Sequence, residues 1–214
     1  MDMREVLVEA GKKLIREGFT VETWGNISVR DNEGLVYITP SGMDYEDCTV
    51  DDMVVMTIDK KTVSGARRPS IETDLHLEVY KARPEVKAIV HTHPIASTVF
   101  SCMGESIPLI IDEAAQALGG EVRTAAYALP GTIELAHNCV KALGDKSNAC
   151  LLQSHGAVCV ACNMKGAFKV AKVLEMTAKV YFRIRSIGGN FIPLSDENIC
   201  AMQDFVACKY GQPK

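Results

Sequence analysis

The spacing of apolar residues divides the chain into helical and extended segments. Near the start, apolar residues recur at intervals of three and four between charged positions, at Leu7, Ala10 and Leu14. This is the period of an amphipathic helix. A long stretch after Asn163 has the same spacing. The pattern predicts helices near residues 3–17, 72–83, 132–143 and 164–187.

Between these helices, alternating and continuous apolar runs predict β-strands. Segments 26–30 and 35–39 flank a loop rich in turn-forming residues, so we expect them to pair as a hairpin. Further strands are predicted at residues 53–58, 86–93, 149–153 and 157–161. Strands that alternate with helices indicate an α/β domain.

The composition is typical of one globular domain, which we expect to cover residues 1–214. The chain has 214 residues, and 47% of them are hydrophobic, which is enough for one large core. A net charge of −4 without any basic run argues against a nucleic-acid partner. No stretch reaches the length of a transmembrane helix, and the start lacks the apolar block of a signal peptide. We therefore expect a cytoplasmic protein without membrane association.

The eight cysteines are expected to be reduced and largely buried, because a chain of this size folds without disulfides. Cys159 and Cys162 have the spacing of a redox or zinc-binding pair. There is no second such pair, and the segment 157–161 has the pattern of a strand. We interpret this pair as structural.

Two histidines end an apolar run and suggest a metal site. Residues i and i+2 of a strand point to the same face, so His91 and His93 can both contact one ion. Pro94 would end the strand at this point. His155 follows another apolar run and precedes Gly156, which would let the backbone pass close to an ion. Three neutral imidazoles leave a coordination position open, as in a catalytic zinc site. The alternative is that they are ordinary hydrogen-bonded groups.

A second candidate feature is the start of the helix predicted near residue 72. Ser70 is a plausible N-cap, with Glu72 in the first turn. The free N–H groups there could hold either the Glu72 carboxylate or an external phosphate. Segments 25–26 and 41–42 combine glycine with a small polar side chain, as a phosphate pocket needs. The same residues also form ordinary turns.

Five motifs occur in the order and approximate spacing of the class II aldolase/adducin family, and the chain resembles the L-fuculose-1-phosphate aldolase branch most. The motifs are Gly25-Asn-Ile-Ser28, Ile38-Thr-Pro-Ser-Gly42, Pro69-Ser-Ile-Glu72, His91-Thr-His-Pro94 and Gln153-Ser-His-Gly156. The resemblance implies a single α/β domain with a central, mainly antiparallel β-sheet and helices on both sides. It also implies one zinc ion per subunit, with manganese or cobalt as alternatives, and a homotetramer with active sites at subunit interfaces.

The same resemblance assigns roles to individual residues. His91, His93 and His155 match the zinc ligands, and Glu72 matches a carboxylate that binds the metal in the empty site and acts as the base in catalysis. Positions that match phosphate-binding residues are Asn26, Ser41, Gly42 and Ser70. Tyr210 matches a tail tyrosine that reaches an active site in the aldolase, or it is an ordinary tail residue.

Two positions depart from the pattern of the fuculose aldolases. Ile71 replaces a second serine, which removes a hydroxyl from the predicted phosphate site. Asp112, with Glu113 beside it, replaces the tyrosine that donates a proton to the aldehyde oxygen. These two acids are the candidates for that proton transfer.

The function implied is reversible aldol cleavage of a ketose 1-phosphate, giving dihydroxyacetone phosphate and a short aldehyde. Relatives use the same metal site to epimerise a pentulose 5-phosphate, or to dehydrate or decarboxylate sugar phosphates. Epimerases commonly carry Asp where this chain has Glu72, which favours lyase chemistry, and the acidic pair 112–113 keeps dehydration open. Adducin-type members use the fold as a non-catalytic interaction module, which the three histidines disfavour.

Overall fold

A computed structural model describes the backbone of residues 2–208 and the side chains of residues 2–206. The helices in this part of the chain are α1 (Met3–Arg16), α2 (Thr73–Ala82), α3 (Ile95–Met103), α4 (Asp112–Leu118), α5 (Ile133–Leu143), α6 (Met164–Ser186) and α7 (Asp196–Cys208). The strands are β1 (Asn26–Arg30), β2 (Val36–Ile38), β3 (Val54–Met56), β4 (Thr62–Ser64), β5 (Ala88–Thr92), β6 (Thr124–Ala125), β7 (Ala149–Leu152) and β8 (Gly156–Ala161). Among the described residues, no helix combines the length and the apolar character needed to cross a membrane.

The strands form one sheet in the order β4-β3-β2-β1-β5-β8-β7-β6. All neighbouring pairs are antiparallel except β6 and β7. The expected hairpin is present as β1 and β2. The prediction of an α/β fold with a central, mainly antiparallel sheet is confirmed.

Helices cover both faces of the sheet because the central strands are apolar on both sides. On β5, Ala88 and Val90 pack into one hydrophobic cluster, whereas Ile89 between them packs into the other. The first cluster includes residues of α1, α3, α4 and α6, and the second includes residues of α2 and α5. His91 has the parity of Ile89, so it faces the layer of α2 and α5.

Among the α-helices and strands, five were not predicted from the spacing of apolar residues: α3, α4, α7, β4 and β6. Helix α3 is rich in β-branched and hydroxyl residues, which have low helix propensity. It begins after Pro94, and the Glu175 carboxylate on α6 accepts hydrogen bonds from the N–H groups of Ala96 and Ser97. Packing against α6 therefore stabilises a helix that its local sequence does not favour.

The seven cysteines whose side chains are described are free, and four of them are buried. The buried ones are Cys48, Cys139, Cys150 and Cys159. Cys159 lies in β8, and Cys162 follows just after the strand as an exposed residue. This arrangement agrees with the structural interpretation of the pair.

Candidate active site

Three imidazole rings meet where the central strands end. His91 is on β5, His93 follows the last residue of that strand, and His155 lies in the turn between β7 and β8. The Nε2 atom of His91 is 2.9 Å from Nε2 of His93 and 3.3 Å from Nε2 of His155. Within the described part of the chain, this is the one group of potential metal ligands with such close donor atoms.

Two glycines let the backbone approach this cluster. A Cβ atom on Gly156 would overlap the carbonyl oxygen of Thr92 and lie 3.2 Å from Cδ2 of His93. Gly25 has a φ of +76°, and a Cβ atom there would lie 2.7 Å from the carbonyl oxygen of His91. A side chain at either position would therefore displace the strand that carries the histidines.

His91 and His93 are neutral, and the ring of His91 is oriented by the sheet. Its Nδ1 atom lies 3.0 Å from the carbonyl oxygen of Ala157. A carbonyl only accepts, so Nδ1 carries the proton and the Nε2 lone pair points into the cluster. Burial, and then neighbouring imidazoles, lower the pKa of His91 and of His93 to about 3. Neutral imidazoles are the form that binds a metal.

Glu72 completes the donor set. Its Oε2 atom is 3.2 Å from Nε2 of His91, and its Oε1 atom is 3.6 Å from Nε2 of His155. The side chain is buried, yet Oε1 has no hydrogen-bond partner. Converging nitrogen lone pairs and a buried, unpaired carboxylate oxygen are both unfavourable unless a cation lies between them. Three imidazoles with one carboxylate suit zinc, so these residues fit a divalent metal ion.

Helix α2 begins at Thr73, so the prediction that Ser70 is its N-cap was wrong. Glu72 itself occupies the N-cap position, and its side chain makes no capping hydrogen bond. The Ser70 hydroxyl instead accepts from the backbone N–H of Glu72 at 3.2 Å. The turn before the helix closes through Thr73, which donates to the carbonyl of Ser70. The carboxylate is thereby left facing the histidines.

The polar loops predicted to bind phosphate lie beside the histidines. The loop after β2 and the loop before α2 are joined by backbone bonds from Ser41 to Arg68 at 3.0 Å and from Ser70 to Thr39 at 3.1 Å. These loops border a cavity of about 540 Å³. The predicted site residues that line it are Asn26, Ser41, Gly42, Ser70, Glu72, His93 and His155.

Other predicted residues lie elsewhere. Asp112 and Glu113 are exposed in the first turn of α4 and do not line this cavity of the described chain. Tyr210 lies outside the described residues. Ile71, the departure from the aldolase pattern, is 64% exposed and lines the cavity.

Among the polar residues buried behind Glu72, His76 lies outside the five motifs, and Ser28 lies within one of them but had no assigned role. Asn26 donates to the Glu72 carboxylate and also contacts His76, which in turn contacts Ser28. Two signals were available in the sequence. His76 lies one helical turn after Glu72, and Ser28 shares a strand face with Asn26.

A family model, related sequences and solved structures all relate this chain to class II aldolases. The family model described as "Class II Aldolase and Adducin N-terminal domain" matches residues 5–182. The chain is 41% identical over 187 residues to the 5-deoxy-D-ribulose 1-phosphate aldolase of Bacillus thuringiensis serovar kurstaki, covering 86% of each chain. It is 34% identical over 196 residues to the L-fuculose phosphate aldolase of Escherichia coli strain K12, covering 92% of this chain and 90% of that protein. A solved structure of an L-fuculose 1-phosphate aldolase matches with a TM-score of 0.90 and 38% identity, over 95% of both chains.

Proposed function

The chain belongs to the class II aldolase and adducin family, and from this we propose that it is a zinc-dependent aldolase that reversibly cleaves a ketose 1-phosphate to dihydroxyacetone phosphate and a short aldehyde. The family membership that the five motifs predicted is confirmed. Because the relatives are aldolases, the prediction that the chain is an enzyme is confirmed as well. The observation that carries the proposal is the meeting of three imidazoles and the buried Glu72 carboxylate beside a cavity that the polar loops also line.

His91, His93 and His155 would hold the metal ion, with Glu72 as a further ligand while the site is empty and as the base once substrate is bound. When bound there, a divalent ion supplies positive charge that stabilises the negative charge developing on the substrate oxygens as the C3–C4 bond breaks. Glu72 removes the C3 proton in the direction of synthesis and returns it in the direction of cleavage. Its unpaired Oε1 atom supports this role, because a general base needs a free lone pair within reach of the proton.

The phosphate group of the substrate is assigned to the loops at the start of α2. Asn26, Ser41, Gly42 and Ser70 supply hydrogen-bond donors around the cavity, and the nearby N-terminus of α2 favours an anion. Anchoring the phosphate holds C3 of the substrate against Glu72, which lowers the entropic part of the barrier. The isoleucine at position 71 leaves this site with one hydroxyl fewer than in the fuculose aldolases.

We assign the aldehyde side of the reaction to a neighbouring subunit of a homotetramer. Asp112 or Glu113 would transfer the proton at the aldehyde oxygen, and Tyr210 is the further candidate for this side of the reaction. Both acids are exposed and do not line the cavity of their own chain, as expected of residues donated to another subunit. Large apolar side chains near the cavity are also exposed, among them Trp24 at 59% and Ile71 at 64%. Such residues favour burial between subunits.

Within the ketose 1-phosphates, we favour a substrate whose aldehyde end is a methyl group or another small apolar group. The relative from Bacillus thuringiensis acts on 5-deoxy-D-ribulose 1-phosphate, according to its name. Trp24 and Pro130 add apolar surface to the cavity, which offers few partners for additional hydroxyl groups. A polyhydroxylated aldehyde would leave its hydroxyls unpaired there.

The decisive experiment is hydrogen–deuterium exchange at C3 of dihydroxyacetone phosphate, with zinc-loaded and chelated protein. Metal-dependent exchange is expected, and the Glu72→Gln variant should fold normally but show no exchange. Normal exchange by that variant would show that another group is the base. Absence of exchange from zinc-loaded wild-type protein would contradict the aldolase and direct attention to epimerisation, dehydration or decarboxylation.

Sharing of residues between subunits is tested by mixing two inactive variants. Glu72→Gln and the double variant Asp112→Asn/Glu113→Gln are each expected to fail in cleavage. Hybrid oligomers reassembled from both should regain part of the activity, because some sites then combine an intact Glu72 with an intact acidic pair. If the mixture remains inactive although hybrids form, or if the double variant is fully active, the assignment to a neighbouring subunit is wrong.

A further inference from the structure

We propose that His76 is a positioning residue that fixes the orientation of the Glu72 carboxylate by acting through Asn26. His76 is on α2, is fully buried and does not line the cavity. The role rests on the proposed function of Glu72 as the base. In this role His76 contacts no substrate, but without it the orientation of the Glu72 carboxylate would be less strictly fixed.

A continuous series of buried hydrogen bonds connects the carboxylate to the interior. Asn26 Nδ2 lies 2.7 Å from Glu72 Oε2, and Asn26 Oδ1 lies 2.5 Å from His76 Nε2. On its other side, His76 Nδ1 lies 2.6 Å from the Ser28 hydroxyl. The Ser28 hydroxyl lies 2.8 Å from the hydroxyl of Tyr80.

The secondary structure brings these residues together. Residues 72, 76 and 80 are four apart, so they follow one side of the start of α2 and its first turns. Asn26 and Ser28 are two apart on β1 and share one face of the sheet. The two rows therefore lie against each other where α2 covers β1.

The chemistry of the partners determines the direction of every bond. The Glu72 carboxylate only accepts, so the atom of Asn26 facing it is the amide nitrogen. The oxygen of that amide then faces His76 and only accepts, so Nε2 of His76 must carry a proton. In the neutral ring Nδ1 is then an acceptor, and the Ser28 hydroxyl must donate to it. The Tyr80 hydroxyl donates to Ser28. Burial lowers the pKa of His76 to about 3, which agrees with a neutral ring.

This series of donors makes the two oxygens of the Glu72 carboxylate different. The Nε2–H group of His76 prevents a 180° flip of the Asn26 amide. A flipped amide would place its oxygen against the Glu72 carboxylate. The Asn26 N–H consequently holds Oε2, while Oε1 remains without a hydrogen-bond partner. Oε1 is therefore the oxygen that takes up the substrate proton. Removing the donor at position 76 would release Oε2 and lower the rate of proton transfer, while Ser41, Gly42 and Ser70 still hold the substrate phosphate.

Two substitutions at position 76 separate this role from simple packing. In His76→Gln the side-chain amide nitrogen can occupy the place of Nε2 and still donate to Asn26. In His76→Asn the shorter side chain ends near the place of Nδ1, and the donor to Asn26 is lost. His137→Asn is the matched control, because His137 is exposed on α5 with 64% of its side chain accessible. The readouts are the rate of C3 exchange and the KM for dihydroxyacetone phosphate, measured with zinc-loaded protein.

We expect His76→Asn to lower the exchange rate by about 10- to 100-fold, the effect of losing one hydrogen bond to a charged network. KM should change by less than about threefold, because Ser41, Gly42 and Ser70 still hold the substrate phosphate when Asn26 is less well fixed. His76→Gln should recover most of the rate, and His137→Asn should equal the wild type. Equal losses in both His76 variants would mean that the ring only fills space, and wild-type rates in both would remove His76 from the mechanism.

A measurement on the metal-free wild-type protein tests the same inference without activity or substitution. The ¹⁵N NMR shifts of the His76 ring report which nitrogen carries the proton, and we expect Nε2–H with an unprotonated Nδ1. A proton on Nδ1 alone, or on both nitrogens, would overturn the inference. If wild-type protein fails to exchange deuterium, the aldolase proposal fails, while the NMR result still decides the arrangement around His76.

Discussion

Gly156→Ala should disturb the histidine cluster although no ligand is changed. A Cβ atom at this position would approach the carbonyl oxygen of Thr92 to roughly 1 Å inside ordinary van der Waals contact. That oxygen belongs to the backbone between His91 and His93, so the overlap is relieved by moving β5 away from β8. The φ angle of Gly156 is not in the left-handed region, so the effect is one of space alone.

The magnitude follows from the size of this displacement. Overpacking by one methyl group typically costs about 1–3 kcal/mol, which lowers the melting temperature of a chain of this size by about 2–12 °C. A shift approaching 1 Å between ligands or reacting groups can lower a catalytic rate by about 100-fold. We therefore expect a modest loss of stability together with a large loss of zinc affinity and of C3 exchange.

Gly120→Ala is the matched control for this substitution. Gly120 also has a φ outside the left-handed region, but a Cβ atom there would meet nothing closer than 3.9 Å. Thermal unfolding, zinc competition with a chromogenic chelator and the exchange rate should be measured for both variants. If Gly156→Ala binds zinc and exchanges deuterium like the wild type, close passage of the backbone at this glycine is not what positions the histidines.

Three further outcomes are expected. His93→Ala should lose bound metal and turnover together, and retention of one metal per chain on elemental analysis would remove His93 from the ligand set. Glu175→Gln should destabilise the protein by about 1–3 kcal/mol in urea unfolding, because the two N–H groups at the start of α3 lose a charged acceptor; unchanged stability would argue against this contact. Hydrogen bonds from Thr49, together with Arg67, lower the pKa of Asp52 to about 2. Its contribution to stability is therefore complete above about pH 4 and disappears as the pH falls towards 2. Asp52→Asn should lose less stability than the wild type over that interval, and parallel stability curves would contradict this.

The local pattern of the sequence was sufficient to predict the main helices and strands and part of the candidate site. The period of apolar residues identified four helices and the central strands to within a few residues, because each period matches one backbone geometry. The convergence of His91 and His93 followed in the same way, since strand alternation alone places them on one face. The local sequence also suggested His155, Glu72 and the polar loops, the family motifs assigned them specific roles, and the fold brings these residues to one cavity.

Tertiary structure decided what depends on residues that are distant in the chain. Helix α3 forms although its residues have low helix propensity, because the carboxylate of Glu175, about 80 positions later, accepts hydrogen bonds from its first N–H groups. Ser70 does not cap α2; Glu72 occupies the N-cap position, and its carboxylate lies near His91 on β5 and His155 in the turn between β7 and β8. The protonation state of His76 depends on Asn26, which lies 50 residues away. Hydrogen bonds and close packing act over a few ångströms whatever the separation in sequence. The sequence by itself therefore determined the periodic helices and strands and the types of side chain in the candidate site. Only the folded chain determined which polar atoms meet and which atom donates in each hydrogen bond.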